Sequence, residues 1–428
     1  MTTTLNRWLL HLEKAHPVAI DLGLERIRAV ADRLRLFDRR LARRIITVAG
    51  TNGKGSTAAM LEAQGLAHGL TTALYTSPHL VRYNERLRLD GIEASDDALM
   101  GAFARIESAR ADTSLTYFEV GTLAALLLIA ERAPDLAILE VGLGGRLDAT
   151  NIIDADVSII TSVAQDHAGF LGTDLLQIGR EKAGIMRPSK PTVLGSRAMV
   201  ESVAEHAAAI GVSVCAVQGR DFDWQIEKTG RWQWSSESPA LQLTGLYDPG
   251  FPLDNAAAAL KALSLTGITL EPQAVAQGFE RVTLAGRMQR LGRFCLDVAH
   301  NPHAAAWVAS RLGMRPVSRR IALLGMLADK DAAGVIEALS DVVDDWLPVG
   351  LEGERARSAE SLAALIKERG GRLLPVGVDT HSALEWLETH RPLDEVLVCG
   401  SFYTVAETLS YLEGGSRAEA SSEHRDVT

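Results

Sequence analysis

At 428 residues the chain is longer than one hydrophobic core usually serves, so its length predicts two domains. It is 47% apolar and 23% charged, an ordinary globular composition, and its formal net charge of −10 excludes a general nucleic-acid binder, whose surface must be basic enough to neutralise phosphates. The three cysteines, Cys215, Cys295 and Cys399, are far apart and odd in number, which fits neither a zinc site nor a disulfide framework and suits a reducing compartment.

The opening MTTTLNRWLLHLEKAH acquires charge at Glu13 and Lys14 and lacks the apolar stretch and cleavage site of a signal peptide. RIITVAG (44–50) predicts a buried strand running into a turn, with a helix from Ser56. The most apolar run, residues 123–130, is too short to span a bilayer, and the chain is expected to be soluble and cytoplasmic. LAILEVG (136–142) and VSIITSV (157–163) predict two further buried strands. Continuous apolar runs of this kind suit a parallel sheet covered by helices on both faces. Residues 221–238, with three tryptophans and alternating polarity, predict antiparallel strands on the domain's flank. From Arg290 a second α/β series begins, with RFCLDVAH, RIALLGML, GRLLPVGV and DEVLVCGS as strand-like segments and a helix over residues 304–312. The expected organisation is therefore α/β throughout: a larger domain over 1–285, a smaller one over 286–413, and a polar tail from Gly414 expected to be disordered.

The sharpest local signal is GTNGKGST (50–57), between a predicted strand and a predicted helix. Glycines let the backbone curl around phosphate oxygens, Lys54 adds positive charge, and the helix contributes its N-terminal dipole. A glycine-rich turn with an incidental lysine is the competing reading, but strand, loop, lysine, hydroxyls and helix all agree on phosphate binding. The loop is a variant of G-x-x-x-x-G-K-[ST]: Val48 stands where the first glycine would be, and Gly55 follows the lysine. The usual hydroxyl ligand for magnesium is thereby displaced to Ser56 or to another segment.

This loop is followed in one order by TSPHL (76–80), LTYFE (115–119), EVGLGGRLDATN (140–151), QDH (165–167), GREKAGI (179–185), LAGRMQ (284–289), DVAHNPHA (297–304), GMLADKD (325–331) and VCGSFYTV (398–405). In these segments the chain resembles the folylpolyglutamate synthases, in particular the bifunctional bacterial dihydrofolate synthase/folylpolyglutamate synthases, from about Ile20 to Val405. That resemblance implies a Mur-ligase-like fold, with a P-loop N-terminal domain of parallel sheet flanked by helices, a smaller Rossmann-like C-terminal domain, and ATP in the cleft between them. It implies ATP-dependent addition of L-glutamate to 7,8-dihydropteroate and to reduced folates through an acyl phosphate, with magnesium at two sites, potassium as a further ion, and a monomeric enzyme.

The same resemblance implies the site residues. Thr51, Asn52, Gly53, Lys54, Gly55 and Ser56 would hold the nucleotide phosphates, with Asn255, Arg287 and Asp297 completing the site from the far side of the cleft. Asn255 also reads as a helix cap, since NAAAALKAL follows it. Arg287, next to the boundary, would reach the phosphates when the domains close. Ser77, Glu140 and His167 would be magnesium ligands. Glu140 ends an apolar strand, where an unpaired carboxylate is costly, so a ligand role is already favoured there; Ser77 and His167 taken singly read as a turn residue and a structural histidine. Lys182 would be carbamylated, supplying a carboxylate for a second magnesium, although a lone lysine ordinarily reads as solvated surface. His300 would lie near the reacting phosphate or the incoming glutamate. Asp21, Leu22, Gly23 and Leu24, then Thr116, Tyr117, Phe118 and Glu119, then Leu147, Asp148 and Ala149 would line the pteroate pocket, Phe118 either stacking on the heterocycle or packing in the core. Three other readings compete: a monofunctional folylpolyglutamate synthase, a Mur-type ligase acting on a cell-wall precursor, and a nucleotide-dependent regulatory protein without catalysis.

Overall fold

The computed structural model describes residues 4–18, 20–353, 355–375 and 379–423. The chain forms two compact units, Met1–His79 with Tyr83–Thr283, and Leu80–Arg82 with Leu284–Thr428. Nothing in the residue pattern foretells that Leu80–Arg82 joins the second unit.

The first unit is built on an eight-stranded sheet of β1 (Arg44–Ala49), β2 (Thr72–Tyr75), β3 (Leu87–Leu89), β4 (Ile92–Glu93), β5 (Leu136–Glu140), β6 (Val157–Ile160), β7 (Thr192–Leu194) and β8 (Cys215–Val217). Its spatial order is β4-β3-β2-β5-β1-β6-β7-β8. From β2 to β8 the neighbours are parallel, while β3 and β4 add an antiparallel edge. Every residue of β2, β5 and β6 is buried, as is β1 from Ile45 onward, which is why these strands carry unbroken apolar runs rather than alternation. The apolar run at 123–130 lies inside the helix Tyr117–Arg132 and is buried on all sides. Among the described residues no helix is long and apolar enough to cross a membrane.

The tryptophan-rich segment forms the antiparallel sheet β9 (Phe222–Ile226), β10 (Trp232–Glu237) and β11 (Ala240–Leu246). Trp232 and Trp234 alternate inward and are fully buried. Trp234 Nε1 donates to the carbonyl of Ala257 at 3.2 Å, and buried Lys261 donates to Ser236 Oγ at 2.8 Å and to the Ser238 carbonyl. Both partners sit on the helix Leu253–Leu265, so this sheet fixes the helix that carries Asn255.

The second unit holds β12 (Gln289–Leu291), β13 (Phe294–Leu296), β14 (Arg320–Leu324), β15 (Asp345–Pro348) and β16 (Glu395–Cys399) in the order β12-β13-β16-β14-β15. All neighbours are parallel except β12 with β13.

Two expectations need correction. The helix after the phosphate loop starts at Lys54 rather than Ser56, because Gly53 at φ +83° makes the turn immediately before it. The edge strand of the second sheet is β15, not GRLLPVGV, whose Leu373 makes a single bridge to Trp346; residues 376–378 lie outside the described residues. Asp345 opens and Pro348 closes β15, polar and ring residues that hide a strand in the sequence yet are tolerated at a sheet edge. The last helix is Phe402–Glu423, and residues 424–428 lie outside the described residues.

Candidate functional site

The strands β2, β5, β1 and β6 are adjacent and parallel, so their carboxyl ends lie side by side. Ser77 follows β2, Glu140 ends β5, the loop at 50–53 follows β1, and Asp166 and His167 follow β6. Open α/β sheets place ligands at this edge.

Close packing shapes the loop. Gly50 sits at φ +151°, and a Cβ there would lie 1.8 Å from Thr161 Oγ1. Thr51 N donates to the Ser162 carbonyl at 2.8 Å, Asn52 N to Ser162 Oγ at 3.1 Å, and Thr161 Oγ1 to the Asn52 carbonyl at 2.7 Å. Thr51 Oγ1 donates to the Ala164 carbonyl at 3.0 Å. Thr161 and Ser162, which the sequence reading passes over, therefore hold the loop's curvature; two hydroxyls closing an apolar strand were the available signal.

Asn255 is not a helix cap, because Pro252 takes the N-cap position of Leu253–Leu265. Nor does it belong to the second domain. It lies in the first unit and donates from Nδ2 to Ser56 Oγ at 2.9 Å, while Ser56 Oγ donates to the Gly53 carbonyl at 3.1 Å.

Two lysines converge on the loop. Lys54 Nζ donates to the carbonyls of Gly50 at 3.0 Å and Thr51 at 3.2 Å. Lys182, near the end of the helix Leu175–Ala183 and only 3% exposed, donates to the same Gly50 carbonyl at 3.1 Å. Burial first, then the Lys54 charge, pulls the Lys182 amine down to about 7, while Asp166 opposes the shift. Both lysines line one small pocket with Gly142, Gly144, Asp166 and His167. His167, at φ +53°, has Nε2 3.8 Å from Asp166 Oδ2. Asp166 is a further residue the sequence reading did not single out, although it stands inside QDH.

Glu140 is 5% exposed, and Ser77 N lies 3.3 Å from its Oε2. A buried carboxylate, a serine whose backbone meets it and an imidazole at the same sheet edge are donor types that suit a hard divalent ion. Among the described residues, however, His, Cys, Asp and Glu nowhere gather in a group of three fit for a metal. A metal here would draw its remaining ligands from Ser77, a phosphate, water or a modified lysine.

The three segments expected to line the pteroate pocket form one connected network. Arg26 bridges Asp21 and Glu119. Thr116 and Glu119 form a reciprocal capping box at the start of Tyr117–Arg132. Phe118 stacks on Tyr75 with ring centroids 6.3 Å apart, and its ring tip is 2.6 Å from where a Cβ on Gly142 would be, so only glycine fits there. The Tyr117 ring lies edge-on to Tyr83 beneath the Arg86 guanidinium. Gly142 N in turn donates to Asp148 Oδ2 at 3.0 Å. Asp148 also accepts from Leu143 N, Thr150 N and Thr150 Oγ1, so both its oxygens are engaged within its own turn. Burial pushes its carboxyl upward against those hydrogen bonds. Leu147 is half-buried, Ala149 buried and Leu22 exposed, while Leu24 packs on the core.

In the second unit, Asp297 is buried and accepts from Met288 N and Ala299 N, each at 2.9 Å. Burial raises its carboxyl, and the nearby Arg287 charge opposes that. The Arg287 guanidinium lies over the Phe402 ring, 5.2 Å from its centre, and the His300 ring is 6.3 Å from the same ring. Arg287 and His300 thus meet at Phe402, and both charges act on the buried Asp297 carboxyl.

Residues 48–238 match the Mur ligase middle domain, and residues 286–402 match the Mur ligase glutamate ligase domain. The chain is 44% identical over 414 residues to the dihydrofolate synthase/folylpolyglutamate synthase of Escherichia coli, covering 96% of each chain. It superposes on Escherichia coli FolC in complex with DHPP and ADP with a TM-score of 0.91, 42% identity, and coverage of 97% of this chain and 99% of that one. A bifunctional folylpolyglutamate synthase/dihydrofolate synthase with Mn, AMPPNP and L-glutamate bound gives a TM-score of 0.88 at 44% identity, covering 96% of this chain and 98% of that one.

The loop packing makes a direct prediction. Gly53→Ala places a Cβ 2.4 Å from Asn255 Nδ2 while φ stays at +83°. Strain of about 1–3 kcal/mol confined to the loop should weaken ADP binding roughly tenfold or more, with secondary structure retained. Calorimetric titration measures this, and an unchanged affinity would remove Gly53 from the phosphate site.

Proposed function

The chain belongs to the dihydrofolate synthase/folylpolyglutamate synthase family of Mur-type ligases, and from that premise we propose that it joins L-glutamate to 7,8-dihydropteroate and to reduced folates at the cost of ATP. The observation that carries this reading is the likeness to the bifunctional enzymes along the whole chain. The local support is the pair of lysines meeting at Gly50 beside a buried Glu140.

Amide formation from a carboxylate needs a better leaving group than oxide. A carboxylate oxygen attacks the γ-phosphorus of ATP, ADP departs, and an acyl phosphate forms. The glutamate amine then attacks the acyl carbon, inorganic phosphate leaves, and the amine nitrogen gives up its proton. The protein's part is positioning and charge neutralisation. Lys54, fixed by two loop carbonyls, holds positive charge where the β- and γ-phosphates lie. Thr51, Asn52, Gly53, Gly55 and Ser56 shape the cradle, and Asn255 holds Ser56 in place. Divalent magnesium, held by Ser77, Glu140 and His167, would supply further charge neutralisation at the transferring phosphoryl group. From the second unit we assign Arg287 and Asp297 to the nucleotide and His300 to the reacting phosphate or the incoming glutamate. The adjoining segments at 21–24, 116–119 and 147–149 receive the pterin ring.

Lys182 takes the carbamate role in this reading. Its buried amine, pulled down to about 7, is substantially neutral near pH 7, the form that adds carbon dioxide, losing one proton and leaving a carboxylate. Carbamylation turns Lys182 from a cation into an anion, so the new carboxylate would stand beside the positive charge of Lys54. We place the enzyme in the reducing cytoplasm, in keeping with Cys215, Cys295 and Cys399 as free thiols.

Two measurements test this. Purified protein given ATP, magnesium and glutamate should release ADP and form product with dihydropteroate and, separately, with tetrahydrofolate. Extension of tetrahydrofolate without any dihydropteroate product would leave a monofunctional synthase, and no turnover with either would end the folate reading. For Lys182, protein equilibrated with 13C-bicarbonate should give a carbamate carbon resonance that Lys182→Ala lacks. The alanine variant should lose roughly a hundredfold or more in kcat and regain part of it with added short carboxylates. Full activity without rescue would contradict carbamylation.

A further inference from the structure

Within IDLGLERI the sequence gives Arg26 no role of its own, yet it ties two of the proposed pterin segments together. Its Nη1 lies 2.7 Å from Asp21 Oδ2, and its Nη2 donates to the Asp21 carbonyl at 2.8 Å and to Glu119 Oε1 at 3.3 Å. Nε is buried with no hydrogen-bond partner. The other Glu119 oxygen accepts Thr116 N at 2.8 Å, so Glu119 is at once the third-position partner in the capping box of Tyr117–Arg132 and the anchor for Arg26. On the far side of Asp21, His16 Nε2 lies 3.6 Å from Oδ2.

The loop held in this way keeps apolar side chains in water, with Ile20 39% and Leu22 37% exposed. It also turns through Gly23 at φ +156°. Partly exposed ion pairs add little to stability, and exposed apolar side chains add none, so folding alone gives weak reason for this fastening. A preformed surface for a ligand gives a stronger one, since a loop ordered in advance spares the ligand the entropy of ordering it. A guanidinium can span a carboxylate, a carbonyl and a second carboxylate together, whereas an ammonium is a single point charge on a flexible stem.

We propose that Arg26 is a positioning residue for the aromatic end of the carboxylate substrate: it fastens the loop at 20–24 to the N-terminus of Tyr117–Arg132, so that loop and helix present one surface to the pterin ring. This rests on the reading that these segments receive the pterin. Arg26 acts through Asp21 and Glu119 and touches neither the phosphate loop nor the lysines.

Arg26→Gln and Arg26→Lys test it in the full chain. Dihydropteroate binding is read by pterin fluorescence with ADP present, alongside kcat and the KM values for dihydropteroate and ATP. In Arg26→Gln the dihydropteroate Kd and KM should rise roughly tenfold or more, the scale of losing one charge-assisted contact, while kcat and the KM for ATP stay within about twofold. Arg26→Lys should recover only part of the loss. Should Arg26→Gln fail to fold, Asp21→Asn weakens the loop-side anchor while keeping the pair with Glu119, and should shift the same two constants in the same direction. Unchanged dihydropteroate affinity in the folded variants, or an equal loss in every constant, would overturn the inference while leaving the proposed function intact. Wild-type protein that fails to bind dihydropteroate would overturn both.

Discussion

The carbonyl oxygen of Gly50 receives hydrogen bonds from two lysines, Lys54 from its own helix and Lys182 from a helix more than a hundred residues later. Burial of the Lys182 amine, with the Lys54 charge close by, disfavours its charged form. That single arrangement gives the site its chemistry, because it sets positive charge where a phosphate would lie and holds Lys182 far below the usual lysine range. It exists only because Gly50 adopts φ +151° with Thr161 where a side chain would otherwise be. The curvature of the loop, the packing of β6 against it and the approach of Lys182 are one constraint seen from three sides.

Around it the sheet does the gathering. Four adjacent parallel strands deliver Ser77, Glu140, the phosphate loop and the Asp166–His167 pair to one edge, though these residues span much of the first unit in sequence. Further along the chain, the capping box at Thr116 and Glu119 sets the start of a buried helix, and Phe118 on that helix closes against Gly142. Gly142 belongs to the turn that Asp148 holds together. The carboxylate end and the ring end of a pteroate would thus meet surfaces linked by short, mostly backbone-anchored contacts.

The parts of this that were legible in the sequence are those governed by local pattern. Strands buried on both faces wrote themselves as apolar runs, the phosphate loop as glycines around a lysine, and the flanking sheet as alternating tryptophans. What escaped depends on distant partners. Arg26 could not be told from a solvated arginine until Asp21 and Glu119 were seen on either side of it. Thr161 and Ser162 looked like the ordinary end of a strand. Asn255 reads as a cap as well as a nucleotide-site residue because of the alanines after it, yet Pro252 takes the cap and Asn255 bonds Ser56 nearly two hundred residues away. The strand β15 was missed because its aspartate and proline are accommodated by an edge position and by Arg372, which pairs with Asp345.

The account's central claim is that the two lysines and their loop serve phosphoryl transfer to a carboxylate. Dihydropteroate carrying oxygen-18 in its carboxylate tests that most directly, with turnover in ordinary water, ATP and glutamate. Transfer of one labelled oxygen into inorganic phosphate is predicted, because the acyl phosphate forms through that atom and releases it when the amine attacks. Unlabelled phosphate alongside labelled amide product would contradict the claim.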